Sequence, residues 1–103
     1  MSTLKELNKN ISKLIKEHMD LFHSFDHVYL FGSALDPSAP PNDIDILIIY
    51  TKYSEMLSND LKLISDELEK ASGIQVDLTA LSIEEEKDTA FLERIKLHCL
   101  RLK

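Results

Sequence analysis

The chain has 103 residues, a length that suits one domain, residues 1–103, with little left over for a separate substrate-binding module. Apolar residues make up 44% of it and charged residues 29%, which excludes an intrinsically disordered segment. Its 12 Lys and Arg stand against 18 Asp and Glu, and the net charge of −6 excludes a protein that grips nucleic acid along its whole surface.

The first part of the chain predicts an amphipathic helix. Apolar residues recur every three or four positions from Leu4 to Phe22, and Ser2 or Thr3 can cap the start. Lysines line the opposite side of this helix, at Lys5, Lys9, Lys13 and Lys16. Without interleaved aromatic residues this row is typical of a solvated face, and nucleic-acid binding would rest on it alone. The N-terminus lacks the apolar stretch of a signal peptide or membrane span, so we expect a cytoplasmic location and no membrane partner.

A strand and a tight turn are predicted next. The segment HVYLF, residues 27–31, is aromatic and β-branched, and Gly32-Ser33 follows it directly. Glycine allows close backbone approach to an anion, so the following amides and the hydroxyl can bind phosphate oxygens, although such a pair is more often only a turn. Residues 36–42 contain all 3 prolines of the chain and predict a surface loop.

The segment DIDILIIY, residues 43–50, predicts a strand whose second half is apolar on both faces and therefore central in a sheet. Asp43 and Asp45 are two positions apart, so their carboxylates project from one face while Ile44 and Ile46 point to the other. Like charges side by side raise the pKa of one group unless a cation intervenes, and Mg²⁺ is a hard cation that suits such a patch.

The second half of the chain predicts a helix, a strand and a last helix. Apolar residues at helical spacing run from about Ser54 to Ala71, and Gly73 stands where a helix-ending residue is expected. A strand is predicted over Ile74 to Leu81, and the spacing of Ser82 and Glu85 predicts a capping box that opens a helix toward Lys96. The tail from His98 to Leu102 either continues that helix or forms a short edge strand.

These elements predict a mixed α+β fold of the α/β type, in the order α-β-β-α-β-α, with helices packed against a small mixed sheet. Asp77 lies inside the third predicted strand, where strand propensity disfavours aspartate, so we expect a carboxylate there to have a partner. Taken singly, Asp43 could end the preceding turn, Asp45 could begin a solvated strand, and Asp77 could mark an edge strand.

Two further residue types carry no assigned role. Cys99 is the only cysteine, so it predicts neither an internal disulfide nor a structural zinc site and fits a small core residue. The histidines show no metal-ligand spacing in combination and are interpreted as structural or surface residues: His18, His23, His27 and His98.

The combined pattern resembles a known family. The chain contains, in this order, a strand, Gly32-Ser33, nine residues, Asp43-Ile44-Asp45 and a later hydrophobic strand around Asp77. This pattern is similar to that of minimal, single-domain members of the DNA polymerase β-like nucleotidyltransferase superfamily. This resemblance implies that Asp43 and Asp45 bind two Mg²⁺ ions, that Asp77 binds the ion at the attacking hydroxyl, and that Gly32 and Ser33 hold the triphosphate of ATP or another nucleoside triphosphate.

The resemblance implies transfer of a nucleotide, AMP from ATP, to a hydroxyl of a protein or small molecule. A more specific version is the antitoxin half of a HEPN/MNT toxin–antitoxin pair, in which the partner protein is a HEPN-type toxin. The alternative is a degenerate fold that only binds a partner. Many minimal members carry an Arg shortly after Gly-Ser, whereas this chain has Ala34-Leu35-Asp36. Oligomeric state is left open.

Overall fold

The computed structural model describes residues 4–32, 43–95 and 99–103. Its elements confirm the expected α+β class and are, in chain order, α1 Leu4–Glu17, β1 His27–Phe31, β2 Asp43–Tyr50, α2 Glu55–Ser72, β3 Gln75–Ser82, α3 Ile83–Thr89, α4 Phe91–Ile95 and β4 Cys99–Arg101. The four strands form one sheet in the order β3-β2-β1-β4. In the described ranges, no helix is long and apolar enough to cross a membrane.

The strand β2 occupies the centre of the sheet, as its apolar second half predicts. It pairs antiparallel with β1 and parallel with β3. Leu47 and Ile48 point to opposite faces and are both fully buried, and Ile49 is almost fully buried. The two ends of the sheet are therefore β3 and β4, and the carboxylates that precede the apolar half of β2 lie between β1 and β3.

The main core lies between the sheet and the helices α1 and α2. Alternate residues of β2, namely Ile44, Ile46 and Ile48, are fully buried against it. Both helices contribute residues at the predicted spacing, and these core residues are Ile11, Ile15, Leu57, Ile64 and Leu68. Because these isoleucines fill one face, Asp43 and Asp45, at the alternate positions of β2, lie on the other face.

The helix α2 has the ends that its sequence predicts. It begins after Ser54, and Gly73 ends it in the left-handed conformation with φ of +73°. The Gly73 N–H donates to the Glu69 carbonyl at 2.8 Å. Glycine adopts this left-handed conformation at little energetic cost, because it has no Cβ to collide with the backbone.

The first helix is shorter than predicted. Regular α-helix ends at Glu17, and residues Met19–Phe22 form a 3₁₀ turn instead. The His18 side chain accounts for the change, because its Nδ1 donates to the Leu14 carbonyl at 2.8 Å. The His18 backbone N–H donates to the Ile15 carbonyl at 3.0 Å, which is a 3₁₀ bond. The predicted caps Ser2 and Thr3 lie outside the described residues.

The prediction of a single last helix is wrong, because the structure divides this segment into α3 and α4. Between them Ala90 adopts a left-handed conformation with φ of +51°, although it is not glycine. Glu86 stabilises the break, since its carbonyl accepts from the Ala90 N–H at 2.8 Å and its carboxylate accepts from the Leu92 N–H at 3.3 Å. The tail forms the edge strand β4 beside β1, while Lys96 and His98 lie outside the described residues.

The capping box at the start of α3 is confirmed. The Glu85 N–H donates to Ser82 Oγ at 3.0 Å, and the Ser82 N–H donates to Glu85 Oε1 at 3.1 Å. Hydrogen bonds from Ser82 hold the pKa of Glu85 below its usual value. The Tyr50 hydroxyl also donates to Glu85 Oε1, and burial together with the Glu85 charge raises the pKa of Tyr50. These contacts fix the start of α3 at the end of β2.

Candidate functional site

Three aspartates share one face of the parallel strand pair β2 and β3. Asp43 and Asp45 alternate with buried isoleucines on β2 and are half-buried, whereas Asp77 on β3 is exposed. Asp45 and Asp77 are register partners in the parallel pair, and Asp43 is the partner of Gln75. Adjacent strands lie about 4.8 Å apart, so the register places the backbones of Asp45 and Asp77 side by side. Sequence alternation predicts the shared face of Asp43 and Asp45, and the fold adds Asp77.

Asp77 marks an edge strand, which is one of the alternatives that the sequence leaves open, and it has a hydrogen-bond partner. It stands on an edge strand and is exposed, and its Oδ1 accepts a hydrogen bond from Gln75 Nε2 at 3.2 Å. Among the described residues, no group of three or more His, Cys, Asp or Glu side chains is arranged to hold a metal ion. Without a cation between them, carboxylates repel one another, and the Gln75 amide gives Asp77 a separate partner.

Gly32 brings the backbone against Asp45. It follows the last residue of β1, Phe31, which is the register partner of Asp45. Its φ of +76° lies in the left-handed region, and a methyl group at this position would lie 3.1 Å from Asp45 Cγ and closer still to Asp45 Oδ2. Only glycine lets the turn approach the carboxylate this closely. Ser33, predicted to bind phosphate with Gly32, lies outside the described residues.

Gly32→Ala and Gly73→Ala form a matched pair that tests this approach. Both glycines are left-handed, but a methyl group at Gly73 would meet no atom of the described residues within 4 Å beyond its chain neighbours. We expect each substitution to lower the free energy of unfolding by about 1–2 kcal/mol through backbone strain. Only Gly32→Ala should also displace the Asp45 carboxylate. Urea unfolding would measure the shared cost, and a Mn²⁺ titration followed by NMR line broadening would detect the displacement. Identical Mn²⁺ responses in both variants would contradict the close approach.

An aromatic and basic cluster on the same face is missed by sequence reasoning. The Phe31 ring meets the Phe91 ring edge-on, with centroids 5.5 Å apart and planes at 81°. The guanidinium carbon of Arg94 lies 5.2 Å from the centroid of Phe91. The spacing of Phe91 and Arg94, three residues apart on a helix, indicates a side-chain pair. The sequence does not show that Phe91 packs against Phe31, the register partner of Asp45.

The described histidines have structural contacts, as the sequence interpretation expects. His18 and His23 donate to backbone carbonyls, and Arg101 lies 3.4 Å from His27 Nδ1. Cys99 is a free thiol on β4 and is half-buried rather than a full core residue. A shallow depression of about 440 Å³ lies beside the start of β3, lined by Glu69, Gly73, Ile74 and Gln75. Gln75 thus borders both this depression and Asp77.

Comparisons with known proteins agree with this architecture. The family model described as "Polymerase beta, Nucleotidyltransferase" matches residues 9–98. A candidate nucleotidyltransferase from Sulfolobus solfataricus is 25% identical, with a TM-score of 0.59, over 98% of this chain and 86% of that chain. No curated protein matches the chain significantly.

Two structures from Shewanella oneidensis share the fold. A chain from a re-refined structure of a tri-AMPylated HEPN toxin in complex with MNT antitoxin is 24% identical, with a TM-score of 0.58, over 95% of this chain and 71% of that chain. A second structure is 18% identical, with a TM-score of 0.60, over 93% of this chain and 71% of that chain. The family match covers most of the chain, including all three strands β1, β2 and β3. The protein therefore belongs to the polymerase beta nucleotidyltransferase family.

Proposed function

We propose that this protein is a Mg²⁺-dependent nucleotidyltransferase that moves a nucleotide, AMP from ATP, onto a hydroxyl of a protein or small molecule. The observation that carries the proposal is the shared face of the three aspartates, with Asp45 and Asp77 in register on neighbouring parallel strands. Membership in the family supports the reaction class. The close approach of Gly32 to Asp45 supports a binding site at the end of the sheet where β1 ends and β2 begins.

The donor atoms suit magnesium. Mg²⁺ prefers carboxylate oxygens and usually keeps several waters. Aspartates that are half-buried or exposed offer such oxygens and leave room for the waters. In the proposal Asp43 and Asp45 hold two ions and Asp77 holds the one nearer the acceptor hydroxyl. The ions would supply charge neutralisation at the attacking and leaving oxygens. Asp77 must exchange its contact with Gln75 for the cation, and its exposure allows this rotation.

The remaining residues bind and orient the substrates. The left-handed Gly32 brings the backbone close to Asp45. In the proposal this backbone and the Ser33 hydroxyl would bind the triphosphate. An acceptor oxygen then forms a bond to the α-phosphorus while the bond from that phosphorus to pyrophosphate breaks. The acceptor's proton leaves to water. Holding both reactants in line supplies much of the acceleration.

A partner protein is the acceptor that we favour. A fold neighbour comes from a complex of a tri-AMPylated HEPN toxin with MNT antitoxin, which shows a modified protein beside a protein of this fold. The proposed partner is accordingly a HEPN-type toxin, modified or captured by this chain.

Calorimetry of ATP with Mg²⁺, repeated with excess EDTA, tests the site. We expect binding with Mg²⁺ and at least tenfold weaker binding after chelation, because the metal offsets repulsion between the triphosphate and the aspartates. GTP, CTP and UTP under the same conditions would give the base preference. Equal affinity with and without EDTA would contradict a metal-dependent site.

A second candidate is a transferase fold that binds its partner without chemistry. The observation favouring it is the run Ala34-Leu35-Asp36 after Gly32-Ser33, where many minimal members have an arginine. Such a module would need its surface but not its carboxylates. Capture of a partner by the wild type and by Asp43→Asn/Asp45→Asn alike, with no nucleotide transfer by the wild type, would distinguish it from the enzyme.

A further inference from the structure

We infer that Arg94, held against the ring of Phe91, contacts the triphosphate of the bound nucleotide. This inference rests on the proposed function and deepens it, since it assigns the phosphate-binding cation of that site. Directly opposed residues of an antiparallel pair point to the same face, so the register of Phe31 with Asp45 places the Phe31 ring on the face of the carboxylates. Phe91 packs edge-on against that ring, and Arg94 lies over Phe91.

The site needs a positive group. Three carboxylates share the face to which a triphosphate would bind, and two Mg²⁺ ions would balance only part of the combined negative charge. The helices α1 and α2 pack on the opposite face of the sheet. The other helices and β4 contain three basic residues, Lys87, Arg94 and Arg101.

Position favours Arg94 among these. Arg101 is on β4 opposite Tyr29, and its guanidinium contacts the Lys103 carbonyl and His27. Lys87 belongs to α3, whose start is fixed by Ser82 at the far end of β3 from Asp77. Arg94 follows the break at Ala90 and adjoins the aromatic pair next to Asp45.

The chemistry of the side chain also fits. A guanidinium presents a rigid fork of N–H donors that matches two phosphate oxygens. These donors lie in the plane of the guanidinium, so they remain available for hydrogen bonds when the group lies over an aromatic ring. Arg94 is exposed, so a ligand can reach its guanidinium. The Phe91 ring restricts where the guanidinium lies, which reduces the entropy that binding would cost.

Competition against a fluorescent ATP analogue, with Mg²⁺ present, tests the inference. We expect Arg94→Gln to weaken ATP binding about tenfold, since it removes a charge-assisted hydrogen bond, and Arg94→Lys to weaken it less. Adenosine should bind the wild type and Arg94→Gln alike, because it has no phosphate. Arg101→Gln is the matched control, with the same loss of charge on the same face, and should bind ATP like the wild type.

The other outcomes overturn the inference. Equal ATP affinity in the two glutamine variants would show that Arg94 makes no specific contact. Equal weakening of ATP and adenosine by Arg94→Gln would assign Arg94 to the base instead of the phosphates. If Asp43→Asn/Asp45→Asn abolishes ATP binding while Arg94→Gln does not change it, the inference fails and the proposed function stands. If the wild type binds no nucleotide, both fail.

Discussion

Replacing Asp43 and Asp45 together by Asn is expected to lower nucleotidyl transfer by at least about a thousandfold. Asparagine keeps the shape of each side chain but removes the two charges proposed to hold both metal ions, and metal stabilisation of a transition state is worth several kcal/mol. Pyrophosphate release, together with incorporation of α-labelled ATP into a purified partner, would measure the loss. Circular dichroism would show whether the fold is retained.

A charge-matched control is Asp20→Asn/Asp66→Asn. Both of these aspartates are exposed, and their elements lie on the side of the sheet away from the site. We expect this variant to transfer nucleotide like the wild type. Undiminished transfer by Asp43→Asn/Asp45→Asn would sink the enzyme proposal. Loss of transfer with full partner capture would show that binding and catalysis are separable functions of one surface.

Leu30→Ala is expected to lower the free energy of unfolding by about 2–5 kcal/mol, a large share of the roughly 5–15 kcal/mol of a typical domain. Leu30 is fully buried on β1, in register with Ile46, so truncation leaves a cavity between the sheet and its helices. Urea unfolding followed by circular dichroism would measure the change. The slope of free energy against urea should stay constant if only the native packing is altered.

Leu63→Ala is the matched control on the surface. The same side chain is 47% exposed there, on α2, and alanine favours helix. We expect a change within about 0.5 kcal/mol. Similar losses in both variants would mean that the core packing described for β1 is wrong. The two stability changes also give a scale for the variants of the site. A site variant that loses activity but keeps its free energy of unfolding identifies a functional residue.

Local patterns predict much of this fold. The bounds of β1 and β2 coincide with their aromatic and apolar runs, because a buried strand needs an unbroken run of strand-formers. Gly73 ends α2 as predicted, since a left-handed residue after a helix strongly favours glycine. Alternation on β2 places Asp43 and Asp45 on one face without any knowledge of the fold.

The errors arise where long-range or side-chain contacts decide. His18 diverts a backbone carbonyl and shortens α1, and Glu86 stabilises a left-handed Ala90 that no sequence rule selects. The register that sets Asp77 beside Asp45 depends on pairing between distant segments. The sequence does not predict Arg94 as a site residue. Helical spacing indicates its contact with Phe91, but it does not indicate the face of the sheet on which α4 lies.

The pairing of β2 with both of its neighbours fixes the places of two aspartates. Phe31 pairs with Asp45 in the β1–β2 ladder, and Gln75 pairs with Asp43 in the β2–β3 ladder, so strand pairing and not the sequence of residues 33–42 sets these places. Loops tolerate insertions, so a strand pair keeps its register when the connection between its strands changes in length. Relatives whose connection after β1 differs in length from this one can therefore keep both carboxylates on the same face.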